Sequence, residues 1–237
     1  MRRCCDPNVL RRVLRSSVFV LLLINFACWP VCHLMAGEQE TIKFRWAFGA
    51  LKQSETELTL EALGSNSVLK TGDQLKMMVE LQSDCYVYVI HHNPQNEVKL
   101  LFPYTLKQLS TDYQQQRKYY IPEGDRWFEL DQHVGRETFY LLASAKRQES
   151  LEELFAQYEK VEPPGKAELT RQVLDEVRSF RKQHRELTAS AERPETIGGA
   201  VRGFEKAQGM NRPDIAVIAA EISAPGFVAR TFTIDHQ

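Results

Sequence analysis

Beyond its first 36 residues the sequence keeps a single cysteine, Cys85, because Cys4, Cys5, Cys28 and Cys32 all fall in the N-terminal segment. An internal disulfide is excluded for that remainder, so stability has to come from a packed core. A lone cysteine in an apolar strand reads as a small buried hydrophobe and not as a reactive thiol. The chain also lacks a Gly-x-Ser-x-Gly elbow, a His-Glu-x-x-His helix and a phosphate-cradling glycine loop, which removes the usual signatures of hydrolase nucleophiles, zinc proteases and nucleotide binding. Gly198-Gly199-Ala200-Val201-Arg202-Gly203 has glycines but follows polar residues instead of a buried strand, and reads as a linker. No cofactor is expected. A repeat of solenoid length is absent. With 43% hydrophobic and 26% charged residues, the composition is that of a folded globular chain and not of a disordered one.

What is present begins with an export-like segment. Arg2, Arg3, Arg11, Arg12 and Arg15 form a basic region, and Val18 to Ala27 is an apolar run interrupted by Asn25. A more polar stretch with Pro30 and His33 follows and ends in Leu34-Met35-Ala36. This order predicts a signal peptide over 1–36, cut after Ala36. An uncleaved anchor is the alternative, since Val18 to Ala36 approaches the length that spans a bilayer; Asn25, Pro30 and His33 weigh against it. A lipidation site is poorly matched, because Asn25 and Trp29 stand three residues before Cys28 and Cys32. A twin-arginine signal is also a poor match, since Arg15 follows Leu14 where an apolar residue is wanted. The localisation expected is periplasmic or cell-surface, with membrane contact only if the N-terminal segment stays uncleaved. The whole chain has 30 basic and 31 acidic residues; five arginines and Asp6 leave with the segment, so the remainder is acidic by five charges. That argues against nucleic acid as a partner.

The remainder reads as strands, then helices, then strands. Ile42, Phe44, Trp46 and Phe48 alternate with Thr41, Lys43, Arg45 and Ala47, the period of a half-buried strand. Leu75, Met77, Val79 and Leu81 share one face of the next clear strand, leaving Gln74, Lys76, Met78 and Glu80 on a wet face. Cys85 to Ile90 is apolar on both faces, as in a strand covered on both sides. Asn93-Pro94-Gln95-Asn96 turns the chain into Val98–Phe102, and three consecutive antiparallel strands are expected here. Further strands are expected at 118–121, 127–130 and 138–144. Ser150-x-x-Glu153 has capping-box spacing before a short amphipathic helix. After Pro163-Pro164-Gly165 a longer helix carries Leu169, Val173, Val177, Phe180, His184 and Leu187 at three- and four-residue steps. Two strands, 215–222 and 227–234, close the chain. The expected fold is mainly β (α+β): an antiparallel β-sandwich-like domain with an inserted or appended helical hairpin. Its divisions are the signal peptide at 1–36, the sandwich at 37–149, the hairpin at 150–190, a loop at 191–213 and strands rejoining the sheet at 214–237.

Leu69-Lys70-Thr71-Gly72-Asp73-Gln74-Leu75, Cys85-Tyr86-Val87-Tyr88-Val89-Ile90, Lys99-Leu100-Leu101-Phe102-Pro103, Tyr119-Tyr120-Ile121-Pro122 and Thr138-Phe139-Tyr140-Leu141-Leu142-Ala143-Ser144 together resemble the bacterial family of unknown function DUF4384, over about residues 69–155. The family's pattern is a Gly-Asp-led strand, an aromatic strand, a Leu-Phe-Pro return, an Ile-Pro strand and a strand ending in a small residue and Ser. The resemblance implies a β-rich module of exported or envelope-associated proteins and supplies no catalytic residues. One departure stands out: Asp84-Cys85 occupies the place where a glycine commonly precedes the aromatic strand.

The chemistry-bearing residues are weighed against plainer roles. His91 and His92 point to opposite faces of a strand and cannot chelate one ion together; Cys85 and His91 share a face but stand roughly 20 Å apart along it. No metal site is expected. Arg178, Arg181, Lys182 and Arg185 lie on one side of the long helix and form the candidate interaction surface for an acidic partner or anionic lipid, against the plainer reading of a solvated face balanced by Asp175, Glu176 and Glu186. Tyr113, Tyr119, Tyr120, Trp127 and Phe128 read as buried strand aromatics before they read as a ligand platform. The leading expectation is a non-enzymatic envelope module for binding or assembly with an envelope protein partner. The rivals are an envelope hydrolase with a dispersed active site, which would gather His91, His133 or carboxylates in a pocket, and an accessory protein tethered by an uncleaved anchor.

Overall fold

The computed structural model describes residues 40–53, 57–183, 201–205 and 212–237, and the strands belong to a compact unit spanning Gln39–Gln237. In chain order the strands are β1 (Thr41–Gln53), β2 (Glu57–Ala62), β3 (Asn66–Leu69), β4 (Gln74–Leu81), β5 (Tyr86–His92), β6 (Val98–Phe102), β7 (Lys118–Ile121), β8 (Phe128–Glu129), β9 (Gly135–Ser144), β10 (Val201–Glu205), β11 (Ala220–Pro225) and β12 (Phe227–His236). The helices are α1 (Glu149–Tyr158) and α2 (Pro163–Gln183), with a single helical turn at Gln108–Thr111 and a 3-10 turn at Ile215–Ile218.

The strands make two sheets. One runs β10-β2-β1-β4-β7, with β11 beside β1 and β8 beside β4; the other runs β3-β12-β9-β5-β6. Pairing is antiparallel throughout except between β3 and β12. The alternation in β1 explains the packing: Ile42, Phe44, Trp46, Phe48 and Ala50 face Val87, Val89, Phe139, Leu141, Val228, Phe232 and Ile234 across the space between the sheets. Each such fully buried Leu, Ile, Val or Phe contributes about 1.5–3 kcal/mol against leaving it in water. The fold is thus mainly β, with two packed sheets and a few helices, as the sequence predicts.

β5 is covered on both faces, and the structure shows by what. Val87 and Val89 enter the core between the sheets, while Tyr88 and Ile90 point outward beneath Leu151, Phe155, Leu169, Val173, Val177 and Phe180 of α1 and α2. The helices therefore form a third layer on the outside of the second sheet. The outer face of the first sheet is capped in turn: Ala47, Leu51, Leu60 and Met78 pack against Ile215 of the 3-10 turn. Gly49 sits below that turn because a Cβ there would lie 2.7 Å from Ile215 Cδ1 and Ile218 Cδ1 and 3.0 Å from the Glu61 carbonyl.

Several local expectations are corrected. β4 and β5 belong to opposite sheets, so the three strands 75–102 do not form one meander; only β5 and β6 pair. The face of β4 expected to be wet buries Lys76 and Met78, because the 3-10 turn and the loop after β7 cover it. Ile215–Ile218 is a 3-10 turn and not strand; Asp214 caps it by accepting from the Ala216 N–H at 2.9 Å. Ser150 does not cap α1, whose N-cap is Gln148 without a side-chain bond; its hydroxyl donates to Glu176 of α2 instead. Pro163 opens α2, the first-turn position in which a missing N–H costs nothing.

Candidate functional site

His91 and His92 end β5 and, as strand geometry requires, point to opposite faces. His91 turns into the sandwich, where its ring stacks on Phe139 at 4.6 Å and Nε2 meets Glu137 Oε2 at 2.5 Å. Glu137 is buried, so the pair closes the end of the core with both partners satisfied. His92 faces out and bonds Asn96 Oδ1 at 3.0 Å. At the same end, His236 is buried with Nε2 3.1 Å from Thr71 Oγ1, and its Nδ1 has no hydrogen-bond partner. His133 pairs with Asp131 at 3.0 Å on the surface, and its backbone and side-chain bonds hold the Asp131 carboxyl below the usual carboxylate range. Folding thus brings four histidines of distant sequence to one end. Among the described residues no three His, Cys, Asp or Glu side chains are grouped to hold a metal ion.

A second constellation, missed in the sequence, surrounds Lys76. Its Nζ donates to the carbonyls of Gly124 (2.6 Å) and Arg126 (2.7 Å) and lies 5.4 and 5.6 Å from the ring centres of Tyr120 and Trp127. Burial lowers the amine's pKa, with Asp125 opposing that shift. Tyr120 in turn donates to Asp214 Oδ1 at 3.1 Å, and burial followed by that carboxylate raises its phenol to about 12. The ammonium therefore fills an aromatic and carbonyl box with a residue of the chain itself and clamps the 122–127 loop onto β4. Met78, apolar on the supposedly wet face, was the available sign.

A third group locks the helices down. Tyr88 donates to Glu152 Oε1 at 2.6 Å and accepts from the Gln148 N–H at 3.0 Å, while Arg147 grips both oxygens of Glu152. Cys85 is 3% exposed, and burial pushes its thiol up to about 11. The aromatic group expected at 113–128 divides between two places. Tyr113 and Tyr119 stack at 6.0 Å and join Phe102 and Tyr104 in the core, whereas Tyr120 and Trp127 form the Lys76 box.

Those core aromatics sit where the Leu-Phe-Pro and Ile-Pro motifs meet. Phe102-Pro103 and Ile121-Pro122 are both cis peptides, and Tyr104 ties the two motifs by donating to the Tyr120 carbonyl at 2.6 Å. The Val87 N–H donates to Tyr113 Oη at 2.7 Å and the Gln114 N–H to Tyr119 Oη at 2.7 Å, so the loop 103–117 is pinned through phenols to the aromatic strand β5 and to β7. An open depression of about 230 Å³ lies on this loop, lined by Tyr104, Lys107, Gln108 and Asp112. Residues 68–147 match the domain of unknown function DUF4384. That stretch of the chain is thus DUF4384-like. No curated protein and no solved structure matches the chain. The DUF4384 match stops at Arg147, short of α1, and its strands β4 to β9 fall in both sheets, where β1 and β12 from outside the match complete the pairing. In the turn between β4 and β5, Asp84 accepts a bond from Gln115 of the 103–117 loop and Ser83 Oγ accepts from the Lys43 N–H at 2.7 Å, which ties that turn to the loop and to β1 by side chains.

The candidate interaction surface is on α2. Arg178, Arg181 and Lys182 are exposed on its last turns; Arg185 lies outside the described residues. Asp175 pairs with Arg178 and also with Arg171, which Glu168 holds as well, so the acidic residues of α2 are engaged mainly toward its middle. Arg181 and Lys182 have no acidic partner among the described residues. Positive charge at a helix C-terminus also complements the helix dipole, by a few tenths of a kcal/mol to about 1 kcal/mol. Among the described residues no helix is long and apolar enough to cross a membrane.

Proposed function

We propose that this chain is an exported, non-enzymatic module of the bacterial cell envelope that binds or assembles with an envelope protein through the basic end of α2. The observation carrying this reading is the exposed set Arg178, Arg181 and Lys182, which holds more positive charge than Asp175 neutralises. Most of the other polar side chains described above are spent internally: Lys76 on two carbonyls, Glu152 on Arg147 and Tyr88, His91 on Glu137. The basic and apolar order of residues 1–36 supports export. The test is fractionation of cells expressing the tagged full chain, followed by crosslinking. The chain should accumulate in the envelope fraction at a mass reduced by the N-terminal segment. Replacing Arg181 and Lys182 by Glu should cost the crosslinked envelope protein while leaving the fold intact. Cytoplasmic accumulation, or crosslinking indifferent to the charge reversal, would sink the reading.

A second reading, an envelope hydrolase, draws support from the His91–Glu137 pair, since a carboxylate that orients an imidazole is the arrangement of a general base. Screening of envelope glycans and peptides with wild type and His91→Ala tests it. Turnover that disappears in His91→Ala would favour the hydrolase.

A further inference from the structure

α1 and α2 cover only part of the outer face of the sheet below them. Along that face the rows across β5, β9 and β12 are Tyr88-Leu142-Ala229, then Ile90-Tyr140-Thr231, then His92-Thr138-Thr233, and then Arg136 beside Asp235. The first row is buried under the helices, and Phe180 of α2 meets Phe227 just beyond it, with ring centres 6.4 Å apart. From the second row outward the character changes: Ile90 is still buried under the helices, but Tyr140, Thr231, His92, Thr138 and Thr233 are all partly exposed, and all but His92 carry hydroxyls. Arg178 and Arg181 stand at the border of this shelf, near enough that their charge opposes the rise which burial gives the Tyr140 phenol. The Thr231 hydroxyl oxygen is buried with no hydrogen-bond partner among the described residues.

The shelf has a definite charge balance. Arg136 and Asp235 are register partners of opposite sign, and Asp175 offsets Arg178, which leaves Arg181 and Lys182 as surplus positive charge. A step with a polar floor and a basic wall is poorly shaped for a flat bilayer, which a convex helix face would meet better. It suits a projecting chain that brings carboxylates to the arginines and backbone carbonyls to the hydroxyls.

We propose that this shelf, the part of the outer sheet face that α1 and α2 leave uncovered beside Arg178 and Arg181, is the docking surface for an acidic segment of a partner protein. The proposal rests on the reading that the basic end of α2 is the recognition surface, and adds the floor and the chemistry of the partner. It is tested with poly-L-glutamate as the probe, binding to the full chain being followed by fluorescence anisotropy at 50 and 300 mM NaCl. Anionic vesicles and dextran sulfate serve as competing polyanions of other classes. Poly-glutamate should bind and weaken with salt. Arg181→Ser with Lys182→Ser should lower affinity at least about five-fold, roughly one charge contact's worth. Thr138→Glu, which places a negative charge on the floor away from the helix, should lower it by a similar factor with the same urea midpoint as wild type. If the helix variant loses binding and Thr138→Glu does not, the helix reading stands and the shelf is overturned. If neither variant matters, both fall. Binding to vesicles or dextran sulfate with none to poly-glutamate overturns the acidic-protein assignment.

Discussion

Removing the guanidinium of Arg147 should destabilise the protein chiefly because it strands a buried carboxylate without a counter-charge. Glu152 is 7% exposed and receives Arg147 on both oxygens together with the Tyr88 hydroxyl at 2.6 Å. Breaking a wholly buried ion pair from one side costs about 3–5 kcal/mol. The Arg147 side chain is 36% exposed, so water reaches the site and the expected cost of Arg147→Ala falls to roughly 2 kcal/mol. For a folded unit of this size that corresponds to about 4–8 °C in Tm. Since the damage is an unpaired charge, Arg147→Ala with Glu152→Gln should recover part of the loss, although it restores no ion pair. Urea unfolding of the two variants and wild type at pH 7 checks both claims. Equal losses in the single and double variants would refute the reasoning.

Other outcomes follow from the same structure. Cys85, buried and with its thiol raised to about 11, should ignore a thiol-reactive disulfide reagent at pH 8 in the folded protein and react at once in 6 M urea; prompt reaction when folded would mean that β4 and β5 open locally. Lys76 has a lowered folded pKa, so the unfolded chain binds the proton better, and the stability of wild type relative to Lys76→Met should rise as pH climbs from the folded toward the unfolded value; urea midpoints at pH 8 and 10 measure it. Gly135→Ala should cost about 1–3 kcal/mol, since φ is +143° and a Cβ would lie 2.9 Å from Pro94 Cβ; an unchanged midpoint would show that the turn after β5 yields easily.

Much of the fold could be read from period-two patterns because one face of each long strand meets the same core. β1, with aromatic and aliphatic residues at every second position, and β5, apolar on both sides, behave as their sequences require. What could not be read was sheet membership. A turn of four residues between β4 and β5 permits either a hairpin or a crossing between sheets, and local pattern does not distinguish them. The buried side of Lys76 escaped for a related reason: its cover comes from residues 124–127 and from the 3-10 turn at Ile215–Ile218, about 50 and 140 positions away. The His91–Glu137 pair was likewise invisible, because it forms only once β9 lies against β5. The basic stripe on α2 could be read, since helical spacing alone puts Arg178, Arg181 and Lys182 together; how α2 lies on the sheet, and hence the polar shelf beside it, could not.

The most direct test of the account is photocrosslinking in living cells from two exposed positions of the full chain. A photoreactive residue replaces Lys182 at the basic end of α2 in one variant and Val217, 63% exposed on the 3-10 turn that caps the other sheet, in the second. The account predicts a discrete envelope-protein adduct from position 182 and none from position 217. Adducts from 217 alone, or the same pattern from both, would contradict it.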